Sequence, residues 1–522
     1  MITMFAVMKE RIRRLQRFQS GTVKTLGVVE TLLGVMLLLT AAYALFCGEN
    51  YEPFLFPAPV FLIMGMIQYM FFYRGSMSPS LGILLMLETW IVSFAAAIVP
   101  FVIYGFAPVD AVYEGVSGYT TTGSTIMTDI EGAESCILLW RALIQWAGGI
   151  TVVIIFTLLL PMIGMGGKNL GSNEFGGSDN GEYSTSLSSV ALNFFRIYVL
   201  LTAAEFVILI ALGMTPFESI CTSMSCVPTG GLLPFNNSMA DFGFAIQATT
   251  LVFMILGASN FLFLFRLLFH RDRTLLKSRE WRVMLLWFLG VALFMTAVVW
   301  FDGNYRTDYI GETFWDSLYA VTCAGTSSGF AVSDYTIWPI LAVLMLMVVE
   351  FVGGTSGSTA GGIKIYRLMT MKAYIAAGME KIMHPNAVTT MSVDGSHVDT
   401  DNAASVLSTV FLFVVGCLVG IGLILFFQNE SGHPIEFLDS IGLVISSICN
   451  AGASIGNFGP MSSMAPLQPA TKIVMTSLMF LGRMEMVFVL MVFTRRFWND
   501  VRQSSTRIRE KAVYTIRRSG KY

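Results

Sequence analysis

The sequence predicts an all-α polytopic membrane protein, built from four repeated span–loop–span units behind two extra N-terminal spans. Three observations carry this: sparse charge, apolar runs of membrane-crossing length, and a fourfold recurrence of short apolar segments ending in glycine. Apolar residues make up 55% of the chain, charged residues 13%, and mean hydropathy is +0.68. A soluble domain carries about 25% charged residues. Residues 26–47 and 404–427 are each long enough to cross a hydrocarbon core of roughly 30 Å. The chain opens with a basic segment (Lys9, Arg11, Arg13, Arg14, Arg17), and the apolar stretch after it is too long for the core of a cleavable signal.

Taken in order, the apolar pattern predicts ten spans, near 24–47, 55–73, 81–105, 138–163, 191–213, 244–269, 281–301, 338–362, 404–427 and 470–494. Basic clusters fall at the N-terminus, around Arg271–Arg279, at Lys364–Lys372 and at Arg495–Lys521. With ten spans all four lie on one side, which the positive-inside rule makes cytoplasmic, together with both termini. The Gly/Ser/Asn-rich stretch 164–188 reads as a flexible cytoplasmic loop, either a linker or a docking segment.

Four apolar segments are too short to cross: 110–123, 216–231, 312–329 and 436–452. All four enter from the external side. Each carries a carboxylate near its helical beginning and ends at a glycine thirteen positions after that carboxylate: Asp110 with Gly123, Glu218 with Gly231, Asp316 with Gly329, Asp439 with Gly452. A first-turn carboxylate favours a helix start through the backbone dipole, and glycine permits a chain reversal inside the membrane. Small or hydroxylic residues precede each glycine: Thr121 and Thr122, Thr229 and Gly230, Ser327 and Ser328, Asn450 and Ala451. These suit extended strands whose carbonyls line a narrow lumen, since bare backbone at membrane depth is tolerated only in protein or beside water. Four such strands form a ring of dipoles able to replace the hydration shell of a monovalent cation. One segment alone reads better as a Gly/Ser turn at a helix end; the same spacing four times decides for a pore.

The predicted fold is therefore four pseudo-symmetric span–pore-loop–span repeats around one pore. A two-span extension covers 1–75, the repeats cover 76–167, 168–275, 276–380 and 381–496, and a basic cytoplasmic tail covers 497–522. Net charge is −2, which gives no argument for nucleic acid. Seven cysteines without a CxxC and four scattered histidines give no metal cluster. Cys221 and Cys226 read as unreactive thiols.

At these residues the chain resembles the Trk/Ktr/HKT superfamily of potassium transporters. Within it, the chain is most similar to the membrane, potassium-translocating subunit of bacterial Trk uptake systems. The resemblance rests on QWAGGITVVIIFTLLLPMIGMGG (145–167), SGYTTTGST (117–125), PTGGL (228–232), GTSSGF (325–330), GGTSGSTAGGIKIYR (353–367), NAGASIGNFGP (450–460) and LGRMEMVFVLMVF (481–493). It implies a regulated, channel-like pore in the inner membrane with K+ as its substrate and no organic cofactor. It further implies a homodimer and a cytoplasmic nucleotide-binding regulatory subunit. The filter it implies is Thr121, Thr122 and Gly123; Thr229, Gly230 and Gly231; Ser327, Ser328 and Gly329; and Asn450, Ala451 and Gly452, with potassium held at the residues preceding each glycine. Cys226-Val227-Pro228 and Cys449-Asn450-Ala451 depart from the commonest Trk pattern and bear on how strictly potassium is preferred over sodium.

Residues 353–362 (GGTSGSTAGG) interrupt an apolar span with a run of poor helix propensity. The resemblance makes them an intramembrane gating loop, with Gly353, Gly354, Gly357, Gly361 and Gly362 as its pivots. A nucleotide-binding P-loop is excluded because Ile363 precedes Lys364 and Ile365 stands where a hydroxyl is required. Arg483 lies in the middle of the last span, where a charge costs at least a few kcal/mol unless it faces a cavity or a partner. It reads as half of an Arg483–Glu485 structural pair or, by the resemblance, as a cation-repelling constriction beside the loop, with Glu350 a candidate counter-ion. Asp129, Glu131 and Asp334 follow the first and third filters and would concentrate cations at the mouth; Asn260 is a candidate for the lower cavity wall. A symporter coupling K+ to H+ or Na+ is the alternative to a channel. A membrane-embedded transferase lacks the convergent His, Asp or Glu residues it would need. An alternating-access transporter predicts inverted repeats, against four loops on one side.

Overall fold

The computed structural model describes residues 2–72, 79–163, 187–302, 309–386, 390–430, 432, 434–452 and 454–503. The predicted loop 164–188 lies outside them except for its last two residues, and the basic tail does so from 504 onward. Seven described helices are long and apolar enough to cross a membrane, or nine if two bent helix pairs each count as one span. The fold is all-helical apart from a two-stranded hairpin, β1 (Met391–Val393) with β2 (Ser396–Val398).

The chain divides into two compact units. The first comprises Met1–Gly105, Leu159–Gly164 and Val487–Tyr522. In it α1 (Ile2–Cys47) packs on α3 (Ala58–Phe71), which follows the short α2 (Glu52–Leu55), and on α4 (Pro79–Tyr104). Close approach of α1 and α3 depends on small residues: a Cβ at Gly27 would sit 2.7 Å from the Gly65 carbonyl oxygen. Buried Glu30 accepts from Gln68 Nε2 at 3.0 Å, while Leu39 and Met70 are left exposed.

The second unit comprises Phe106–Leu158 and Met165–Met486 and holds all four short helices. These are α5 (Pro108–Tyr119), α8 (Pro216–Cys226), α13 (Ile310–Thr326) and α17 (Phe437–Ile448). Between them run α6 (Ser135–Ile163), α7 (Leu187–Ala211), α9 (Phe244–Gly257), α10 (Phe261–His270), the short α11 (Thr274–Lys277), α12 (Arg279–Asp302), α14 (Ile340–Val352), α15 (Ile365–Met383) and α16 (Thr400–Glu430). The last long element of this unit is α18 (Pro469–Met484), and α19 (Met486–Val492), which follows it in the chain, belongs from Val487 onward to the first unit.

Three of the first-turn carboxylates stand where the sequence placed them. Asp110 pairs with Lys472 at 2.7 Å, Glu218 closes a capping box with Thr215, and Asp439 accepts from the Asn457 backbone at 2.8 Å. The third differs. Helix α13 begins at Ile310, so Glu312 occupies its first turn and Asp316 lies in its interior.

Three predicted spans are also interrupted. The segment 244–269 is two helices bent by 106° at Ala258–Asn260; 338–362 is helical only over Ile340–Val352; and the last breaks at Glu485, whose φ is 59°. The physical reason for the first two is shared. Loop 353–362 docks into the break, where its Thr355 and Thr359 N–H groups donate to the carbonyls of Ala258 and Gly257. Asn260 supplies the other half, its Oδ1 accepting from Leu262 and Phe263 N–H as the cap of α10. Backbone groups freed by both interruptions therefore satisfy one another, as they must at that depth.

Candidate functional site

Each short helix of the second unit ends in the same hydrogen-bonded turn. Thr122, Gly230, Ser328 and Ala451 donate their N–H groups to the carbonyls of Ser117, Ser225, Cys323 and Ser446, at 2.9, 2.7, 3.1 and 3.0 Å. The preceding residue donates in each case to the carbonyl three positions back. This is the Schellman closure, whose left-handed residue is usually glycine. Here it is Thr121, Thr229, Ser327 and Asn450, with φ of 53°, 56°, 53° and 52°. These four are therefore helix caps, not the extended residues the composition suggests. A Cβ in this region costs roughly 1–2 kcal/mol. Thr229 Oγ1 and Ser327 Oγ donate to the carbonyl just before them, at 2.6 and 2.7 Å, and tie the turn locally.

The caps deliver four glycines to a closed ring. Gly123, Gly231, Gly329 and Gly452 all have positive φ, between 72° and 92°. A Cβ at Gly231 would lie 3.2 Å from the Ser328 carbonyl oxygen and 3.4 Å from Gly329 Cα; one at Gly329 would lie 3.3 Å from the Ala451 oxygen. A Cβ at Gly123 would overlap the Gly230 oxygen, and one at Gly452 the Thr122 oxygen. Each glycine thus faces the carbonyl that precedes the glycine of the next repeat, and the fourth returns to the first. A Cβ at Gly230 would instead meet Gln145 and one at Gly456 would meet Asp439, so neither is one of the four ring glycines, although the Gly230 carbonyl lines the ring.

Hydroxyls distinguish the repeats. Thr120 bonds Thr122 at 2.7 Å in the first and Thr326 bonds Ser328 at 2.8 Å in the third. In the fourth, Asn450 Nδ2 reaches across to Thr122 Oγ1 and to the Met479 carbonyl, both at 2.9 Å. On one side all four glycines border a cavity of about 170 Å3, whose wall includes Arg141, Asn236 and Met464. Asp129 and Glu131 hold Asn236 through its side-chain Nδ2 and its backbone N–H, and Asp334 caps the turn at Thr336. These carboxylates therefore brace loops; the bonds from Asn236 and Gly132 hold the Asp129 carboxyl below the usual range.

Loop 353–362 lies against three of the four helix-ending turns. The Gly361 N–H donates to Ser327 Oγ at 2.5 Å, and a Cβ at Gly361 would overlap the Cys449 carbonyl oxygen. Thr359 Oγ1 reaches the Val227 carbonyl at 3.2 Å and contacts Thr229 Oγ1 at 3.4 Å. Gly353, Gly357 and Gly362 take positive φ, and Gly354 packs on Ala258 and Ala360. From outside the loop, Glu280 Oε1 accepts from Ser356 and Tyr366 N–H, at 2.7 and 3.1 Å. Asn260 Nδ2 donates to the Ser356 carbonyl, so this residue pins the loop and is not simply cavity wall.

Arg483 is buried and donates through Nη1 to the Thr359 carbonyl at 2.9 Å. Among the described residues its Nε and Nη2 have no hydrogen-bond partner and it forms no ion pair. The Arg483–Glu485 pair is not formed, because the helix break at Glu485 turns that carboxylate to Arg367. Glu350 is buried with Oε2 unbonded, and among the described residues it forms no ion pair with Arg483.

A family model described as TrkH, cation transport protein, matches residues 99–500. The chain belongs to this family. Among curated relatives, a Trk system potassium uptake protein TrkG from Escherichia coli is 30% identical over 395 residues, covering 75% of this chain and 79% of that one. A Trk system potassium uptake protein TrkH from Vibrio parahaemolyticus is 28% identical over 436 residues, covering 80% and 86%. The crystal structure of the potassium transporter TrkH from Vibrio parahaemolyticus superposes with a TM-score of 0.81 at 24% identity, covering 93% of this chain and 99% of the other. That likeness establishes the fold of this TrkH family member: four pseudo-symmetric repeats and two further N-terminal spans.

Several residues around the ring carried no sequence signal. Glu280 looks like one more charge in the basic cluster near it, Arg367 looks like the end of another, and Gln145 is buried in an apolar span. Gly148 and Gly149 could have been found: two consecutive glycines in a predicted span mark close approach, and a Cβ at Gly149 would lie 2.6 Å from Pro228.

Proposed function

We propose that the chain is the membrane subunit of a regulated system that takes potassium up through the inner membrane, by channel-like conduction. The observation that carries this is the closed ring in which each glycine faces a carbonyl of the next loop. Such a ring replaces the hydration shell of a monovalent cation with backbone dipoles. Support for potassium comes from relatives named as Trk system potassium uptake proteins. In this reading the filter is Thr121–Gly123, Thr229–Gly231, Ser327–Gly329 and Asn450–Gly452, distributed over repeats 76–167, 168–275, 276–380 and 381–496. The cavity of Asn236 and Met464 is the external mouth, and both termini are cytoplasmic. Loop 353–362, held against the filter by Ser327, Thr359 and Arg483, is the closed gate. Its displacement is the job of a cytoplasmic nucleotide-binding partner, and the membrane subunit works as a homodimer.

The test is complementation of a potassium-uptake-deficient bacterium at limiting potassium, together with rubidium tracer uptake into proteoliposomes. Growth rescue and rubidium flux that external potassium competes away are expected. Folded protein that gives neither, with its regulatory partner supplied, would overturn the reading. Flux that collapses when the proton or sodium gradient is removed would replace conduction by symport.

A further inference from the structure

Immediately after the first two ring glycines the chain is clamped by a buried ion pair. Glu114, on α5, and Arg141, on α6, are 0% and 1% exposed and meet at 2.8 Å. The Glu114 carboxylate also accepts from Thr125 Oγ1 and, at 3.0 Å, from the Ile126 N–H. Arg141 completes the square with a 3.1 Å bond to Thr125 Oγ1 and reaches the Leu233 carbonyl of the second repeat at 3.4 Å. One turn further along α6, Gln145 grips Leu232, accepting its N–H at 2.9 Å and donating to its carbonyl at 3.0 Å. One helix face thus holds the residues that follow both Gly123 and Gly231. Among the described residues no ion pair holds those following Gly329 or Gly452.

We infer that Glu114 and Arg141 are positioning residues for ion selectivity, fixing the first two filter strands while Glu114 cancels a cationic charge beside the ion path. The inference rests on the pore reading above. Two features make the pair more than packing. Arg141 borders the same cavity as the four ring glycines, so its charge stands where cations would collect. A buried pair is weak evidence for stability, since apolar residues of similar volume often serve as well, yet removing one partner leaves an uncompensated charge. Here the surviving charge would face the ion route, and its sign would depend on which partner is removed.

The two roles separate in one set of variants, read as apparent potassium affinity and as rubidium uptake in competition with sodium. Glu114→Gln leaves the guanidinium uncompensated and should weaken apparent potassium affinity by about tenfold, the factor that ~1.4 kcal/mol supplies. Arg141→Met leaves the carboxylate and should move affinity the opposite way. The double variant Glu114→Gln/Arg141→Met is neutral and should recover affinity while potassium-over-sodium discrimination stays low. Thr125→Val removes the shared hydroxyl without touching charge; it should lower discrimination alone, and serves if a charge variant fails to fold. Conducting wild-type protein with unchanged discrimination in every folded variant would overturn the inference and leave the pore reading intact. Wild-type protein without rubidium flux would overturn the pore reading, and this inference with it.

Discussion

Replacement of Gly452 by alanine is expected to abolish potassium uptake, lowering rubidium flux by about a hundredfold, whereas Gly329→Ala is expected to conduct with reduced discrimination. Both positions have φ near 73°, so an alanine at either costs roughly 1–2 kcal/mol of backbone strain. The difference lies in what the new methyl meets. At Gly452 it overlaps the Thr122 carbonyl oxygen, an acceptor the proposed ion site needs. At Gly329 the nearest atoms are Gly231 Cα at 3.0 Å and the Ala451 oxygen at 3.3 Å, tight contacts that a shift of a few tenths of an ångström relieves. A displacement of about 1 Å in a preorganised site can cost a hundredfold. Gly452→Ala forces a displacement of that order, and Gly329→Ala does not. A serine at 329 adds a hydroxyl to the same crowded ring and should lose more discrimination than alanine. Equal flux and equal discrimination in all three variants would mean that these glycines do not form a filter.

Much of this ring was legible in the sequence, because it depends on local chemistry repeated four times. Hydrophobic length separates crossing from non-crossing segments, and glycine suits the positive-φ, crowded position in each loop, so carboxylate-to-glycine spacing marks each loop. The same local signal misplaced the third helix start, since Glu312 and Asp316 are equally good first-turn residues and only the beginning of α13 at Ile310 decides. What could not be read depends on partners far apart in the chain. The bend at Ala258–Asn260 exists because loop 353–362 supplies donors for its free carbonyls, about a hundred residues away. Glu485 pairs with Arg367 and not with Arg483 two residues before it, because its positive φ redirects the side chain. Glu114 and Arg141 sit on separate helices, and each alone reads as an expensive charge in an apolar segment.

Arg483→Ala should raise basal rubidium flux and weaken its dependence on the regulatory partner. In the proposed gate, Arg483 acts in two ways that the substitution removes together. Its Nη1 is bonded to the Thr359 carbonyl, at the point where the loop touches the turn that ends α8. Its charge has no ion-pair partner among the described residues. At about 6 Å and an effective dielectric of 20, a unit charge repels a potassium ion by about 3 kcal/mol, on the order of a hundredfold in occupancy. That is the upper bound on the expected gain, because displaced loop residues still obstruct the route. Arg483→Lys separates the two contributions: the ammonium keeps the repulsion but cannot reproduce the planar reach to Thr359. Flux in the lysine variant near wild type would assign closure to charge, and flux near that of alanine would assign it to the Thr359 bond. Tracer uptake in proteoliposomes, with and without the partner, makes the measurement; wild-type flux in both variants would remove Arg483 from the gate.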